Sequence, residues 1–431
     1  MIASNIEIKQ NTVYFAGQNT KALSQLYGTP LYLMDEDRIR ENCRTYVNAF
    51  KKYFPKNSYP IFASKAASFK RIYGIINEEG MGCDVVSSGE VHTALSAGFP
   101  LKKAFFHSNN KTDYDISFAM DNHIGHFVAD GLDELSAIDR IAGEKGIVQP
   151  VLIRLTPGID THTYEAVNTG KVDSKFGVAI ETGQAIEVLG EALNFKNVKI
   201  DGFHCHVGSQ VFDSSTFIRS AEIMLSFIKE AKDKFSFETE MLNLGGGYGV
   251  RYTEADPVIN IEQNIKLVSE EITALCEKFS IAMPAIIMEP GRSIVADAGM
   301  TLYTVGSVKR IKGYKNYVSV DGGMTDNPRF ALYGSRYTVL CANKAEEKTD
   351  FTCSVVGRCC ESGDIIQENV MLPDSICRGD NIAVCTTGAY NYSMASNYNR
   401  VPRPPVVMLS KGESYVAVRR ESFEDIIRND I

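Results

Sequence analysis

The amino-acid sequence predicts an α/β protein that combines a (β/α)8, TIM-like barrel with an all-β domain at the C-terminal end. Eight short apolar runs between residues 59 and 288 alternate with longer amphipathic runs, a pattern typical of strands alternating with helices. Past about residue 300 the long helical pattern stops, and short strand-like runs are separated by Gly, Pro, Asn and Asp. With 431 residues, the chain is also longer than one ordinary core needs, so two domains are expected.

The predicted barrel strands are short and mostly apolar. They are residues 59–66, 82–87, 104–108, 126–130, 150–156, 200–207, 241–244 and 285–288. The clearest helices between them are residues 68–79, 89–97, 132–145, 214–234 and 261–279. A doubly wound open sheet is the alternative, although no G-x-G-x-x-G motif follows the first strand.

The predicted β domain is discontinuous in sequence. Its C-terminal strands are residues 303–308, 316–321, 352–356, 381–385, 406–409 and 414–419, and a helix is expected only in the tail, 421–429. Residues 6–15 and 30–34 are also strand-like and precede the barrel, so we expect them to join the β domain. The predicted boundaries are 36–300 for the barrel and 1–35 with 301–431 for the β domain.

Composition and charge exclude several classes of function. The net charge of -8 argues against binding to nucleic acid or to an anionic membrane surface. The sequence has no N-terminal apolar leader and no apolar stretch of transmembrane length, so a cytoplasmic location is expected. Ten cysteines without a C-x-x-C pair are too sparse for a disulfide scaffold and indicate reduced thiols and no metal site.

Polar residues stand at the ends of the predicted strands, where a barrel of this kind carries its active site. Lys65 ends the first strand, and burial there would favour the neutral amine, which attacks a carbonyl. The alternative for Lys65 is a side chain that extends to the surface. The other strand ends supply Asp84, His107, Arg154, the run His204 to Ser209, and Glu289.

The glycines after the seventh strand indicate an anion site. Gly245, Gly246 and Gly247 let the backbone approach a ligand, and backbone N–H groups can hold a phosphate. After the eighth strand, Gly291 and Arg292 are the expected donors because Pro290 has no N–H. A plain flexible turn is the alternative for the triplet.

A reactive lysine together with a phosphate cradle predicts pyridoxal 5'-phosphate as the cofactor. Its aldehyde bonds to a lysine amine, and its ring nitrogen needs a partner. Glu289 is the candidate for that partner, because a carboxylate holds the nitrogen protonated. His206 could stack on the ring face.

Six segments together resemble the fold-type III pyridoxal-phosphate decarboxylases, which pair an N-terminal barrel with a C-terminal β domain. They are FASKA (62–66), HCHVGSQ (204–210), NLGGG (243–247), EPGR (289–292), CESGD (360–364) and GAY (388–390). Each motif is weak alone, but their order along nearly the whole chain is specific.

Three further segments resemble the members of that family that act on meso-2,6-diaminopimelate. They are the loop 161–177, the run DGGM (321–324) followed by Arg329 and Tyr333, and MASNYN (394–399). Phe330 stands where that family usually has proline. The resemblance implies loss of one carboxyl group as CO2 to give L-lysine, the last step of lysine biosynthesis.

The resemblance also implies the role of each site residue. Lys65 would bond to the cofactor and act in catalysis with Cys360 and Glu361, which come from the neighbouring subunit of a homodimer. The other cofactor contacts would be Asp84, His206, Ser209, Gly245, Gly246, Gly247, Glu289, Gly291, Arg292 and Tyr390. The substrate contacts would be Arg292, Arg329 and Tyr333 at the distal carboxylate, Glu361 at the distal ammonium, and Tyr390.

Three other functions remain open at this point. The chain could be a decarboxylase of the same fold that acts on ornithine, arginine or carboxynorspermidine, and Arg329, Tyr333 and the loop 161–177 are the features that distinguish these. It could be an amino-acid racemase, although Glu289 counts against that reading. It could also be a non-catalytic regulator, which would tolerate loss of Lys65.

Overall fold

The computed structural model describes residues 2–159 and 173–431, which form two compact units. A β unit comprises Met1–Glu41, Val250–Val258 and Arg292–Ile431, and a barrel unit comprises Asn42–Gly249 and Ile259–Gly291. These boundaries differ from the predicted 36–300. Residues 36–41 group with the β unit, where Arg38 lies 2.7 Å from Asp297. Residues 250–258 do so too, because the Tyr252 carbonyl accepts the N–H of Thr338 at 3.1 Å.

The barrel unit contains eight parallel strands that close on themselves. They are Tyr59–Ala63, Gly82–Val85, Ala104–Phe106, His126–Ala129, Gln149–Thr156, Val198–His204, Met241–Asn243 and Ala285–Met288. The eighth strand pairs with the first through Ile287 and Tyr59, which completes the circle. The predicted barrel is therefore confirmed, and the doubly wound open sheet is wrong. A short strand, Val178–Ala179, adds to the outside of the fifth.

Helices follow most of the barrel strands. They are Lys70–Glu78, Ser88–Ser96, Asp113–Asp121, Leu132–Glu144, Gln184–Ala192, Ser215–Phe235 and Ile261–Phe279, and Glu36–Tyr53 precedes the first strand. Local capping explains where several begin. The Ser87 hydroxyl accepts the N–H of Glu90 at 3.2 Å, and Thr112 and Asp115 form a capping box. Among the helices in the described part of the chain, none is long and apolar enough to cross a membrane.

One layer of the barrel interior is entirely apolar. Ile61, Phe105, Val128, Leu152 and Ile287 come from five different strands, and all are fully buried. Burying each such side chain contributes about 1.5–3 kcal/mol. This layer fixes the strands against one another, so that the polar residues at their C-terminal ends are held on a rigid rim.

The β unit is built on a sheet of nine strands. They are Leu31–Asp35, Gly299–Lys309, Tyr317–Val320, Val339–Cys341, Thr349–Val356, Ile365–Pro373, Asn381–Cys385, Val406–Ser410 and Glu413–Val418. The N-terminal strand 31–35 lies inside this sheet, antiparallel to 299–309 and parallel to 406–410. This confirms that N-terminal residues join the β domain. The strands 339–341 and 365–373 were not predicted.

Smaller elements complete the β unit. Ile6–Lys9, Thr12–Phe15 and Gln18–Asn19 form a separate three-stranded sheet, and the helix Thr20–Tyr27 follows it. Three short helices are Arg292–Val295, Arg329–Tyr333 and Phe423–Ile427. The last of these is shorter than the predicted tail helix and begins at a capping box formed by Ser422 and Asp425.

Candidate active site

Lys65 lies just after the first barrel strand, in a single 3-10 turn, Ser64–Ala66. The strand ends at Ala63, three residues earlier than predicted. Ser64 and Ala66 are buried, whereas Lys65 is exposed. The prediction that Lys65 is a buried strand residue is therefore wrong, because the chain turns at Ser64. Its place on the rim at the C-terminal end of the first strand is as expected.

Two carboxyl groups lie near Lys65. Asp84 is buried on the second strand, and its Oδ1 accepts the N–H of Ser64 at 2.8 Å, which fixes the turn that carries Lys65. Burial, and then the charge of Glu289, raise the pKa of Asp84 against the effect of Lys65. Glu90 accepts the N–H of Val86 at 2.7 Å, and burial raises its pKa too. Both carboxyl groups are thus close enough to respond to the charge of Lys65.

Glu289 is the point on which four barrel strands converge. Its carboxylate Oε1 accepts a hydrogen bond from Asn243 Nδ2 at 2.7 Å and lies 2.8 Å from His107 Nε2. Its Oε2 lies 3.4 Å from His204 Nε2. Both imidazole nitrogens lie within ion-pair distance of the carboxylate, but neither contact has the geometry of a hydrogen bond. From the sequence, His107 and His204 were predicted to lie on the rim, but no role was predicted for them. Asn243 was noted only as part of the motif NLGGG.

The electrostatics favour an ionised Glu289 beside neutral imidazoles. Burial by itself raises the pKa of Glu289, but the contacts with His107 and His204 outweigh it and bring the pKa well below its usual range. Burial lowers the pKa of His204 to about 4 and also lowers the pKa of His107. The site therefore holds a buried anion beside two uncharged imidazoles and one amide donor, Asn243.

His206 and Ser209 lie on the loop after the sixth strand. Burial, followed by the charge of Lys65, brings the pKa of His206 well below its usual value. His206 thus lies near Lys65, as its predicted role requires. Ser209 is half-buried on the same loop.

The glycine triplet packs tightly against neighbouring backbone. A Cβ on Gly246 would lie 2.1 Å from the Glu289 carbonyl oxygen, and one on Gly247, whose φ is +138°, would lie 2.7 Å from the Gly208 carbonyl oxygen. The N–H of Gly245 is held by Asn243 Oδ1 at 2.9 Å. Across the described ranges, the N–H groups of Gly246 and Gly247 donate to no other group. These two amides are therefore available to an anion.

A separate group of cations and aromatic rings lies in the β unit. The guanidinium groups of Arg292 and Arg329, both buried, lie 4.8 and 5.1 Å from the ring centre of Tyr390. Arg292 also donates to Tyr252 Oη at 2.6 Å, and Arg329 lies 5.3 Å from the ring of Tyr333. Guanidinium groups stay charged, so these residues form a positively charged cluster. A carboxylate can bind such a group through two parallel hydrogen bonds.

Tyr252 is a residue of this group that sequence reasoning missed. It lies in the segment 250–258, which has no regular strand or helix pattern, and it joins Arg292 only through the fold. Its ring packs edge-on against Tyr337 at 5.3 Å. No local signal in the sequence marks either tyrosine.

Cys360 and Glu361 are exposed on a loop of the β unit. The N–H of Cys360 donates to Asn399 Oδ1 at 2.8 Å, and Glu361 Oε1 accepts the N–H of Gly363 at 3.2 Å. Both contacts lie within the β unit and hold the loop that carries Cys360 and Glu361.

Two further predicted features have different outcomes. Most of the loop 161–177 lies outside the described residues, which resume at residue 173. In its described part, the Phe176 ring lies 4.3 Å from the guanidinium group of Arg154. Phe330 is half-buried on the helix that carries Arg329 and Tyr333, and proline directly precedes that helix as Pro328.

Known proteins resemble this chain over nearly its whole length. The family model described as pyridoxal-dependent decarboxylase, pyridoxal binding domain, matches residues 36–296. A diaminopimelate decarboxylase of Bacillus methanolicus is 46% identical over 405 residues, which cover 94% of this chain and 93% of the relative. That of Bacillus subtilis is 42% identical over 415 residues, covering 96% and 94%. The structure of the M. jannaschii diaminopimelate decarboxylase in complex with L-lysine has a TM-score of 0.91 and 33% identity, and the match covers 99% of this chain and 98% of that one.

Proposed function

The chain belongs to the diaminopimelate decarboxylase family, and we propose that it removes one carboxyl group of meso-2,6-diaminopimelate as CO2 and releases L-lysine. The observation that carries the proposal is the match to this family at 46% identity over 94% of the chain. The reaction is the last step of lysine biosynthesis. A match to curated decarboxylases also disfavours the racemase and the non-catalytic regulator.

The residues of the barrel unit fit pyridoxal 5'-phosphate as the cofactor. Each of its three polar parts has a chemical match. Lys65 supplies an exposed amine for the aldehyde, Gly246 and Gly247 supply unengaged amides for the phosphate, and Glu289 supplies a buried anion for the ring nitrogen. When bound, the cofactor accepts the electron pair that loss of CO2 leaves behind.

The proposed roles follow from chemistry and position. Lys65 holds the cofactor and moves protons at its own Nζ, and Asp84 orients the turn that carries it. His206 covers the ring, and Glu289 keeps the ring nitrogen protonated. The remaining cofactor contacts are Ser209, Gly245, Gly246, Gly247, Gly291, Arg292 and Tyr390.

The arginines of the β unit are proposed to select the substrate. Diaminopimelate carries an amine and a carboxylate at each end, so choosing it over ornithine or lysine requires recognition of the distal carboxylate. Arg292 and Arg329 are both buried and flank one tyrosine ring, and a guanidinium group binds a carboxylate through two parallel hydrogen bonds. Tyr333 and Tyr390 are proposed to complete the contact surface for the substrate. A plain diamino acid has no distal carboxylate for Arg329 to bind.

We also propose that the enzyme is a homodimer in the cytoplasm. Cys360 and Glu361 are exposed on their loop. A second subunit is proposed to receive them, with Glu361 binding the distal ammonium of the substrate and Cys360 acting beside it in catalysis.

Turnover by matched variants tests the proposed function. Purified wild-type protein supplied with pyridoxal 5'-phosphate should convert meso-2,6-diaminopimelate to equal amounts of CO2 and L-lysine. Lys65→Ala should abolish the reaction, whereas Lys70→Ala, which changes an exposed lysine on the next helix, should keep wild-type rates. Full activity of Lys65→Ala would refute the assignment.

A further inference from the structure

Glu289 has more polar neighbours than a simple partner for a ring nitrogen needs. His107 follows the third strand, His204 ends the sixth and Asn243 ends the seventh, and all three reach the same carboxylate. Oε1 lies within 2.8 Å of both Asn243 and His107, whereas the polar neighbour of Oε2 in the described part of the chain is His204, at 3.4 Å. The two oxygens are therefore unequal, and Oε2 keeps acceptor capacity.

Burial alone would work against the role proposed for this carboxylate. Glu289 is only 7% exposed, and a carboxyl group taken out of water tends to hold its proton. A protonated Glu289 could not draw a proton onto the ring nitrogen. Donors around a carboxylate have the opposite effect, because hydrogen bonds to the charged form favour it.

We propose that His107 and His204 are positioning residues, which act with Asn243 to hold Glu289 as an anion and leave Oε2 to accept the ring N–H of the cofactor. This inference rests on the proposed function, since it takes pyridoxal 5'-phosphate to be the bound group. It assigns to these two histidines a part in the reaction that acts through Glu289.

Neutral imidazoles suit this part better than cations. Both rings are buried and pack edge to face with 4.8 Å between their centres, so a charge on either would be costly. A neutral ring with its proton on Nε2 still places a polar N–H beside Glu289. It leaves the negative charge uncompensated, and that charge is then available to the ring nitrogen.

The three ligand atoms of His107, His204 and Glu289 also lie within 4.8 Å of one another, which is close enough to hold a metal ion. Two histidines and one glutamate form a known zinc ligand set. We instead assign both imidazoles to the carboxylate. The two assignments differ in whether the purified holoenzyme contains a tightly bound metal ion.

Matched variants test whether each histidine acts as a hydrogen-bond donor or only fills space. His107→Gln keeps an N–H donor, whereas His107→Leu removes it at similar volume, and His204→Gln and His204→Leu form a second pair. The readout is the 15N chemical shift of the ring nitrogen in holoenzyme loaded with 15N-labelled pyridoxal 5'-phosphate. We expect a protonated nitrogen in wild type and in both glutamine variants, and a shift toward the unprotonated value in both leucine variants. The cofactor Kd should rise about tenfold or more in the leucine variants only.

Four results would overturn the proposal. They are an unprotonated ring nitrogen in wild type, unchanged 15N shifts in both leucine variants, equal loss in the glutamine and leucine variants, and one tightly bound metal ion per subunit in holoenzyme. If one leucine variant does not fold, the other pair and the wild-type spectrum still carry the test. Because the 15N measurement uses no substrate, failure to turn over diaminopimelate would refute the proposed function and leave this inference standing.

Discussion

At the barrel rim, the environment of a single side chain depends on where the chain turns. The pattern FASKA predicted that Lys65 is functional, but it could not show whether Lys65 ends the strand or follows it. Glu289 is the opposite case. The motif EPGR predicted that Glu289 is functional, but the sequence did not indicate which three polar residues surround it. Those neighbours come from strands 46 to 182 residues away in sequence, and only closure of the barrel brings them together.

The depressed pKa of His204 makes stability depend on pH. A histidine has a pKa of about 6.5 in an unfolded chain, and His204 titrates at about 4 in the fold, where Glu289, His107 and Arg154 face it. Between these values the unfolded state binds a proton that the folded state does not, so stability is lost as the pH falls. From pH 7 to 5 this costs about 2 kcal/mol.

The variant His204→Gln cannot titrate and tests this directly. We expect its free energy of unfolding, measured with urea at pH 7 and pH 5, to fall about 2 kcal/mol less than that of wild type. His107 and His206 are present in both proteins. Parallel losses in the two proteins would show that His204 is protonated normally in the fold.

Arg329 offers a test of substrate selection at a single residue. Arg329→Leu should lower kcat/KM for meso-2,6-diaminopimelate about 100-fold, because a charged hydrogen-bond partner of the distal carboxylate is lost. Cofactor absorbance should not change. Arg336→Leu removes an exposed arginine from the segment that follows and should have no effect. Equal kinetics for Arg329→Leu and wild type would remove Arg329 from the substrate site.

At the scale of elements, the sequence predicted strands best where apolar runs are continuous. All eight barrel strands lie where their runs predicted, with ends that differ by up to three residues. The strand Ile365–Pro373 was missed because Gln367, Glu368 and Asn369 interrupt its apolar pattern. It forms because it pairs with Thr349–Val356, a tertiary contact that local pattern does not encode.

The Asp364 side chain links two loops of the β unit. Its removal tests whether the position of Arg329 depends on these loops. Its carboxylate accepts the N–H of Met324 at 2.6 Å and of Cys359 at 2.7 Å. Asp364→Ala leaves both amides without this partner and should cost about 2–3 kcal/mol of stability. We also expect a higher KM for meso-2,6-diaminopimelate.

A surface variant provides the control for that prediction. Asp374→Ala removes an exposed ion pair with Arg310, which lies at 2.6 Å, and should cost less than about 1 kcal/mol. Thermal unfolding of the three proteins at one pH gives the comparison. If Asp364→Ala and Asp374→Ala unfold alike, Asp364 does not hold the loops.

At the scale of the whole molecule, subunit mixing tests the proposed homodimer. Lys65→Ala and Glu361→Ala should each be inactive alone. If one site uses Lys65 of one subunit and Glu361 of the other, random mixing makes half of the dimers mixed, each with one intact site of two. Activity should then recover to about a quarter of wild type. No recovery after confirmed exchange of subunits would place both residues in the same chain's site.

The two-part architecture and the family were predictable from the sequence, whereas the unit boundaries were not. Apolar periodicity indicated the barrel, and the order of six motifs indicated the family. The assignment of residues 250–258 to the β unit depends on contacts such as that between Tyr252 and Thr338, which are 86 residues apart. For the same reason, Tyr252 could be recognised as a partner of Arg292 only from the fold.

Substrate choice is measured by the initial rate of CO2 release from purified wild-type protein with pyridoxal 5'-phosphate, determined separately on meso-2,6-diaminopimelate, L-lysine, L-ornithine and L-arginine. We predict rapid release from meso-2,6-diaminopimelate, with an equal amount of L-lysine formed, and no release above background from the other three. Release from ornithine or arginine in preference to diaminopimelate would refute the proposed substrate. It would mean that Arg292 and Arg329 do not select for the distal carboxylate.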